Sequence, residues 1–404
     1  MAEMEKTKRT RKVRHRGRDS QVLIYLGKQF RFFINESDWK VLPMAAIIAG
    51  LVSMVIRKQF FVTMEGSLMG GFALTCMAIW NGCFNSIQSI CRERAIIKRE
   101  HRSGLHMTSY VIAHMIYQFL LCAAQTGLSL YVMMVVGVQF PAEGFMTRWM
   151  ILDLGITLLL VAYASDMLSL FISSISHTTT GAMTVMPFVL IFQLVFSGGV
   201  IPLPEWSQKL SNFTISNYGI HAIAAQSNYN ERPMVTLWKT VDGMRNTEVG
   251  GTFTLGELVD LLDSPTAKAW LDTEIETPDW LKEKTEGLTD GQAEALTEGQ
   301  AEEPADSKLT LGMIAGLIRE TNWIQEHRDY TFKATITVGE LLNLFDEEKV
   351  KTVLQEATAA ASRKPEYDCT KDNILRNWFA LMAFVLLFAL LSVISLELID
   401  HDKR

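Results

Sequence analysis

Two long apolar runs, residues 69–90 and 107–137, flank a charged elbow from Cys91 to Gly104, and no other feature constrains the fold as strongly. The elbow reads Cys-Arg-Glu-Arg-Ala-Ile-Ile-Lys-Arg-Glu-His-Arg-Ser-Gly. Its five Lys/Arg and two Glu cannot lie in hydrocarbon, so both flanking helices must end at one membrane face. The excess of basic residues assigns that face to the cytoplasm.

Four further apolar segments, at about 40–57, 149–173, 180–200 and 376–399, bring the count to six. Each is near the roughly 20 residues needed to cross hydrocarbon. Pro43 opens the first, where proline suits a helix N-terminus, and Arg57 and Lys58 close it. An even count leaves both termini on one side. Residues 1–20 carry eight Lys/Arg against three acids, so that side is again the cytoplasm. No cleavable signal pattern follows this basic tail, because Lys28 and Arg31 interrupt the apolar residues. The expected fold is an all-α polytopic membrane bundle of six transmembrane helices. Residues 1–18 form a basic cytoplasmic tail. Spans one to five occupy 39–202, with the elbow at 91–106, and the last span with a short cytoplasmic tail occupies 374–404.

Between the tail and the first span, residues 19–38 mix Val22, Leu23, Ile24, Phe30, Phe32 and Phe33 with bases. This pattern predicts an amphipathic helix on the inner surface, with a solvated juxtamembrane linker as the alternative.

Residues 203–373 are expected to form an α+β extracellular domain inserted before the last span. From 205 to 372 the chain carries 30 acids against 16 bases. The segment 252–263, Thr-Phe-Thr-Leu-Gly-Glu-Leu-Val-Asp-Leu-Leu-Asp, recurs at 335–346 as Thr-Ile-Thr-Val-Gly-Glu-Leu-Leu-Asn-Leu-Phe-Asp. Thr254 with Glu257, and Thr337 with Glu340, have the spacing of a capping box, so duplicated strand-to-helix units are expected. A weaker third copy spans 310–318. Residues 285–307, acidic and poor in bulky side chains, predict a flexible loop. Of the five cysteines only Cys369 lies in this block, so it has no internal disulfide framework, and Cys369 could cross-link to a dimer mate.

Polar residues inside spans are informative because lipid offers them no partner. Asn81, Asn85 and Gln88 share a face of span two, flanked by Trp80 and Phe84, and either line a wet cavity or bond to a neighbouring helix. His114, Gln118 and Gln125 share a face of span three, where interhelical hydrogen bonding is the preferred reading. Asp166, the one acid deep in a span, is read as lying near the inner interface rather than in a buried ion pair or proton relay. Phe188, Phe192 and Phe196 form a stripe on span five, suited to an apolar path or to plain packing.

Nothing supports catalysis. The chain has no G-x-x-x-x-G-K-[ST] phosphate loop and no Cys/His cluster for a metal. The elbow is the chemically loaded element. Glu93 and Glu100 lie two helical turns apart and share a face, Arg92, Arg99 and Arg102 offer complementary charge, and Gly104 suits the left-handed position that stops a helix. A positive-inside topology signal would explain the bases but not the two acids or the Ser103-Gly104 stop.

The segment Glu93-Arg-Ala-Ile-Ile-Lys-Arg-Glu100-His-Arg-Ser-Gly104-Leu-His106 resembles the E-x-x-x-F-x-x-E-x-x-x-G-x-Y coupling elbow of ABC exporters of the G-subfamily kind, with type-2 permease architecture. Ile97 stands where that family has an aromatic residue, and His106 where it has Tyr. Phe196-Ser-Gly-Gly-Val-Ile-Pro-Leu-Pro-Glu-Trp206 and Ser216-Asn-Tyr218-Gly-Ile-His-Ala222 are similar to its outer re-entrant region. The resemblance covers about 19–230 and 374–400. It implies that Glu93, Arg94, Arg99, Glu100, Arg102 and Gly104 couple to an ABC ATPase on a separate polypeptide, which holds the ATP and magnesium. It further implies a second permease subunit, a multi-pass plasma-membrane location in contact with lipid, and a bacterial source. Substrate would pass beside Asn81, Phe84, Asn85, Phe188, Phe192 and Phe196. Nucleic acid is not an expected partner. Two functions remain in competition: ATP-driven export of hydrophobic, lipid-like or peptide cargo, and a non-transporting transmitter whose outer domain regulates an external partner.

Overall fold

The structure, a computed structural model, describes residues 17–35, 38–199, 204–254, 331–339, 342 and 347–398. The chain divides into two units, residues 1–234 with 359–404, and residues 235–358.

The first unit is helical. It contains α1 (Arg18–Asn35), α2 (Val41–Ile56), α3 (Met64–Ser86), α4 (Ser89–Arg102), α5 (Met107–Val136), α6 (Met150–Ile175), α7 (Thr179–Val195), α8 (Glu205–Ser211) and α9 (Ile215–Gln226). A long terminal helix, Lys371–Glu397, completes it. Four helical stretches are long and apolar enough to cross a membrane: α3 with α4, α5, α6 and the terminal helix. Helices α2 and α7 are apolar but shorter.

Local chemistry sets the helix ends. Thr63 accepts from Gly66 N at 3.0 Å to start α3, Thr178 from Gly181 N at 3.1 Å to start α7, and Thr370 from Asn373 N at 3.3 Å to start the last helix. Such caps are worth about 1 kcal/mol each. Helix α5 stops at Gly137, φ +90°, where Val138 N reaches Met133 O and Gly137 N reaches Met134 O. This left-handed stop satisfies carbonyls that the helix leaves unpaired.

The core is built on α3 against α6. At Gly82 a Cβ would lie 2.1 Å from Ala162 O, so only glycine allows the two backbones to meet there. Small residues at helix contacts serve this purpose where apolar burial gives little drive. Helix α9 is almost wholly buried and wedges against the same pair: a Cβ at Gly219 would meet Val161 and Thr75 at 2.8 and 2.9 Å.

One expectation needs correction. The apolar run 69–90 lies in one stretch long enough to cross a membrane but is not one regular helix. Helix α3 ends at Ser86, the chain turns through Ile87 and Gln88, and α4 begins at Ser89, so Gln88 lies beyond the turn from Asn81 and Asn85. Asp166 lies nine residues before the end of α6, level with Ser86 at the end of α3. It is fully enclosed where α3, α5 and α6 meet, accepting from the Ser86 hydroxyl and from Cys122 Sγ at 3.5 Å.

The second unit holds α10 (Thr236–Gly243), β1 (Glu248–Thr254), β2 (Thr331–Thr337) and the start of α11 (Glu347–Ser362). With these ranges in place the terminal helix is α12. Strands β1 and β2 pair antiparallel, Glu248 opposite Thr337 and Thr254 opposite Thr331. The strand portions of the two sequence repeats therefore lie on partner strands. Arg245 joins Asp242 to Glu347. Glu257, Glu340, the 285–307 loop and the 310–318 copy lie outside the described residues. Helices α8 and α9, and residues 359–370, fall in the bundle's unit rather than in this one.

Candidate functional site

The elbow is a regular helix, α4, and its two acids turn towards α1. Lys28 Nζ meets Glu93 Oε2 at 2.8 Å, and the Tyr25 hydroxyl donates to Glu100 Oε2 at 2.7 Å. Glu93 is buried, so this ion pair is shielded on the carboxylate side. The Lys28 ammonium also lies over the Tyr25 and Phe32 rings at 5.7 and 5.4 Å. Burial, followed by the Glu100 carboxylate, raises the Tyr25 phenol above its ordinary pKa, so it remains a donor.

Helix α1 is thus a packed helix, not a solvated linker. Its protein-facing side is polar. Gln21 donates to Gly104 O at 3.2 Å and accepts from His106 N at 3.0 Å, while Gln29 meets His114 on α5 at 3.0 Å. Leu23, Ile24, Phe30 and Ile34 are exposed on other parts of its surface, an arrangement suited to lying against lipid.

Arg94 reaches the other way. Its guanidinium donates to Ser174 O at 2.6 Å and Ser176 O at 3.3 Å, holding carbonyls at the end of α6. A cation is favoured at a helix C-terminus. Gly104 has φ +102°, with Leu105 N bonded to Glu100 O and Gly104 N to His101 O, which ends α4 as its sequence position anticipates. The exposed part of α4 presents Arg92, Ala95, Ile96, Arg99 and Arg102.

Sequence reading grouped Glu93 and Glu100 on one face but missed what that face touches. The signal was present in the spacing of Gln21, Tyr25, Lys28 and Phe32 along α1.

Asn81, Phe84 and Asn85 come together. They line a groove of about 310 Å³ with Lys40, Met44 and Trp80, between α2, α3 and α5. Asn85 and Gln125 exchange two hydrogen bonds, at 2.8 and 3.0 Å, across α3 and α5. Nearer the elbow, Phe84, Asn85, Gln88, Arg92, Glu93 and Gln118 border a second cavity of about 210 Å³. Gln118 Oε1 is buried there with no hydrogen-bond partner among the described residues.

The structure does not bring the phenylalanine stripe to this groove. Phe188, Phe192 and Phe196 line neither cavity; Phe188 is 70% exposed, and the other two rings lie 4.9 Å apart. A residue overlooked in the sequence, Gln193, does more on α7. Its Oε1 accepts from Ile215 N at 2.8 Å and Ser216 N at 3.3 Å, fastening the first turn of α9.

Residues 21–226, just over half of the chain, match the family described as ABC-2 type transporter. The chain is also similar to an ABC transporter ATP-binding/permease protein of Mycobacterium tuberculosis, 32% identical over 151 residues. That match covers 37% of this chain and 17% of the relative's own length.

Proposed function

The chain belongs to the ABC-2 type transporter family and is a transmembrane ABC permease, and on that premise we propose that it is the membrane half of an ATP-driven exporter. Members of the family work with an ABC ATPase. The similar mycobacterial protein carries both activities in its name, ATP-binding and permease. Here the ATPase, with its ATP and magnesium, is proposed to act on α4 from the cytoplasm, and hydrophobic, lipid-like or peptide cargo to move outward.

The observation that carries this reading is the bracing of α4. It follows α3 after a single turn, is tied to α1 through Glu93 and Glu100, and is tied to α6 through Arg94. Force applied to its exposed side, at Ile96, Arg99 and Arg102, would reach three helices at once. A surface loop could not do this, because a flexible contact absorbs displacement rather than passing it on.

In this reading α2 and α7 complete six spans and both termini are cytoplasmic. At 16 and 17 residues they are roughly 24–26 Å long, a mismatch that local bilayer thinning and snorkelling by Lys40, Arg57 and Lys58 accommodate. A second permease copy is proposed to face the exposed side of α7 at Phe188 and Ile191. Asn81, Phe84 and Asn85 are proposed to face the cargo.

The test is the pair Ile96→Asp and Arg99→Glu. The ATPase should no longer co-purify from membranes, while insertion and monomer folding are unchanged. Retention of full ATPase binding and transport would remove the coupling role of α4. An ATPase that binds and turns over normally with the wild-type chain while no cargo moves would instead favour the non-transporting transmitter.

A further inference from the structure

At the end of the bundle away from α4, a cavity of about 620 Å³ opens beside α9. Its volume lies within the range of about 300–1,000 Å³ found for small-molecule sites. Its floor is α9: Asn217 and His221, one turn apart, are 4% and 9% exposed. Its rim includes Lys209 from α8 and Lys364 and Glu366 from the segment before α12.

Asn217 is the informative residue. It is nine-tenths buried, lines the cavity, and its carboxamide makes no hydrogen bond to any described residue. A buried amide with open donors and an open acceptor is expected to have a partner, from solvent or from a ligand. It stands in the first turn of α9, whose first two N–H groups are already taken by Gln193. Charge favours an anion, because two ammonium groups border the cavity against one carboxylate, Glu366.

The cavity walls are held in place. Lys364 is fixed through its backbone, its N–H donating to Asn230 Oδ1 at 3.1 Å and its carbonyl accepting from Asn230 Nδ2 at 2.8 Å. His221 lies 3.6 Å from Glu366 and edge-on to Tyr367. Gln193 fastens the start of α9. At the rim Lys209 is exposed, and the Lys364 ammonium lies 5.4 Å from the centre of the Tyr367 ring.

We propose that this cavity binds a phosphorylated polyol, with the phosphate between Lys209 and Lys364 and a hydroxyl on the Asn217 carboxamide. The ligand could be a free phosphate ester or the headgroup of a phospholipid, since both present the same atoms. Binding at this cavity needs neither the ATPase nor a transport cycle, so the site can be tested on the purified chain alone.

Titration calorimetry on the full chain in neutral detergent would use sn-glycerol 3-phosphate and, separately, phosphatidylglycerol in mixed micelles. Glycerol and phosphatidylcholine serve as uncharged-headgroup and zwitterionic controls. Saturable binding of glycerol phosphate would identify a free ester as sufficient, and binding of phosphatidylglycerol alone would identify a lipid headgroup. The rim variant Lys209→Gln with Lys364→Gln, both on exposed side chains, should weaken binding about tenfold or more. Asn217→Ala, shown to be folded by its thermal transition, should weaken it to a similar degree. Failure of both anionic probes to exceed the controls overturns the proposal. So does unchanged affinity in the rim variant or in a folded Asn217→Ala protein.

Discussion

The Tyr25 hydroxyl donates to the Glu100 carboxylate at 2.7 Å, joining two helices separated by 75 positions in the sequence. With the Lys28–Glu93 pair, about one turn along α1 and two turns along α4, it makes the elbow and the N-terminal helix a braced pair. Force proposed to enter at α4 would therefore reach α1 as well.

Tyr25→Phe removes one hydrogen bond to a charged group and should cost about 1.5–3 kcal/mol in the α1–α4 contact. Glu100→Gln should cost less, because an amide can still accept from the phenol. A double-mutant cycle by thermal unfolding should show non-additivity of more than about 0.5 kcal/mol. Simple additivity would mean that the bond contributes nothing to holding the pair.

Lys28→Ala leaves the Glu93 carboxylate in a buried position with its cation removed. The loss should be several kcal/mol, of the order of 3, and larger than for exposed bases such as Arg99. Lys28→Ala with Glu93→Leu should recover much of it, since the uncompensated charge is then absent. Denaturation midpoints in detergent, read for the three variants, decide this.

Gly82→Ala places a methyl group where the Ala162 carbonyl already lies, 2.1 Å away. Helices α3 and α6 must separate, so a loss at or above the usual 1–3 kcal/mol for overpacking is expected. Gly127→Ala, where a Cβ would meet nothing within 4 Å, is the matched control and should be nearly neutral. Comparable expression and melting of the two variants would contradict the close contact.

Acid should loosen the α9 end. Burial lowers the His221 pKa to about 4, against the opposing pull of Glu366 and with help from Lys364 and Arg376. The folded state therefore holds a neutral imidazole at pH values where the unfolded chain already binds a proton. This contribution is complete above the unfolded value of about 6.5 and is lost as pH falls towards 4, to an extent of the order of 2 kcal/mol. His221→Gln should flatten that part of the profile. An unchanged pH dependence of the melting temperature would remove His221 as its source.

The proposed orientation is open to labelling. A cysteine placed at Gln292 should react with an impermeant maleimide on intact cells; reaction only after permeabilisation would reverse the topology. The native Cys369 should lag behind it. Burial, then the charges of Glu231 and Asp153, push its thiol up to about 11, so little thiolate exists near neutrality. For the same reason any disulfide between copies through Cys369 should form slowly.

Several features were legible without coordinates because they depend on local chemistry alone. The apolar runs at 107–137 and 149–173 became α5 and α6 with nearly those bounds, since hydropathy and helix length are properties of the segment itself. Gly104 ends α4 because a left-handed stop needs no partner outside the turn. The family resemblance rested on the elbow spacing, and the match over 21–226 bears it out. Tertiary structure alone decided what each polar face meets. Periodicity shows that Glu93 and Glu100 share a side, but only packing decides that this side faces Lys28 and Tyr25. Likewise it grouped Asn85 with Gln88, which border one cavity across the turn after Ser86, but the partnership of Asn85 with Gln125 depends on α5 lying alongside. Contacts between residues 40 to 85 positions apart carry no signature in local spacing, because the free energy that selects them comes from the neighbouring helix.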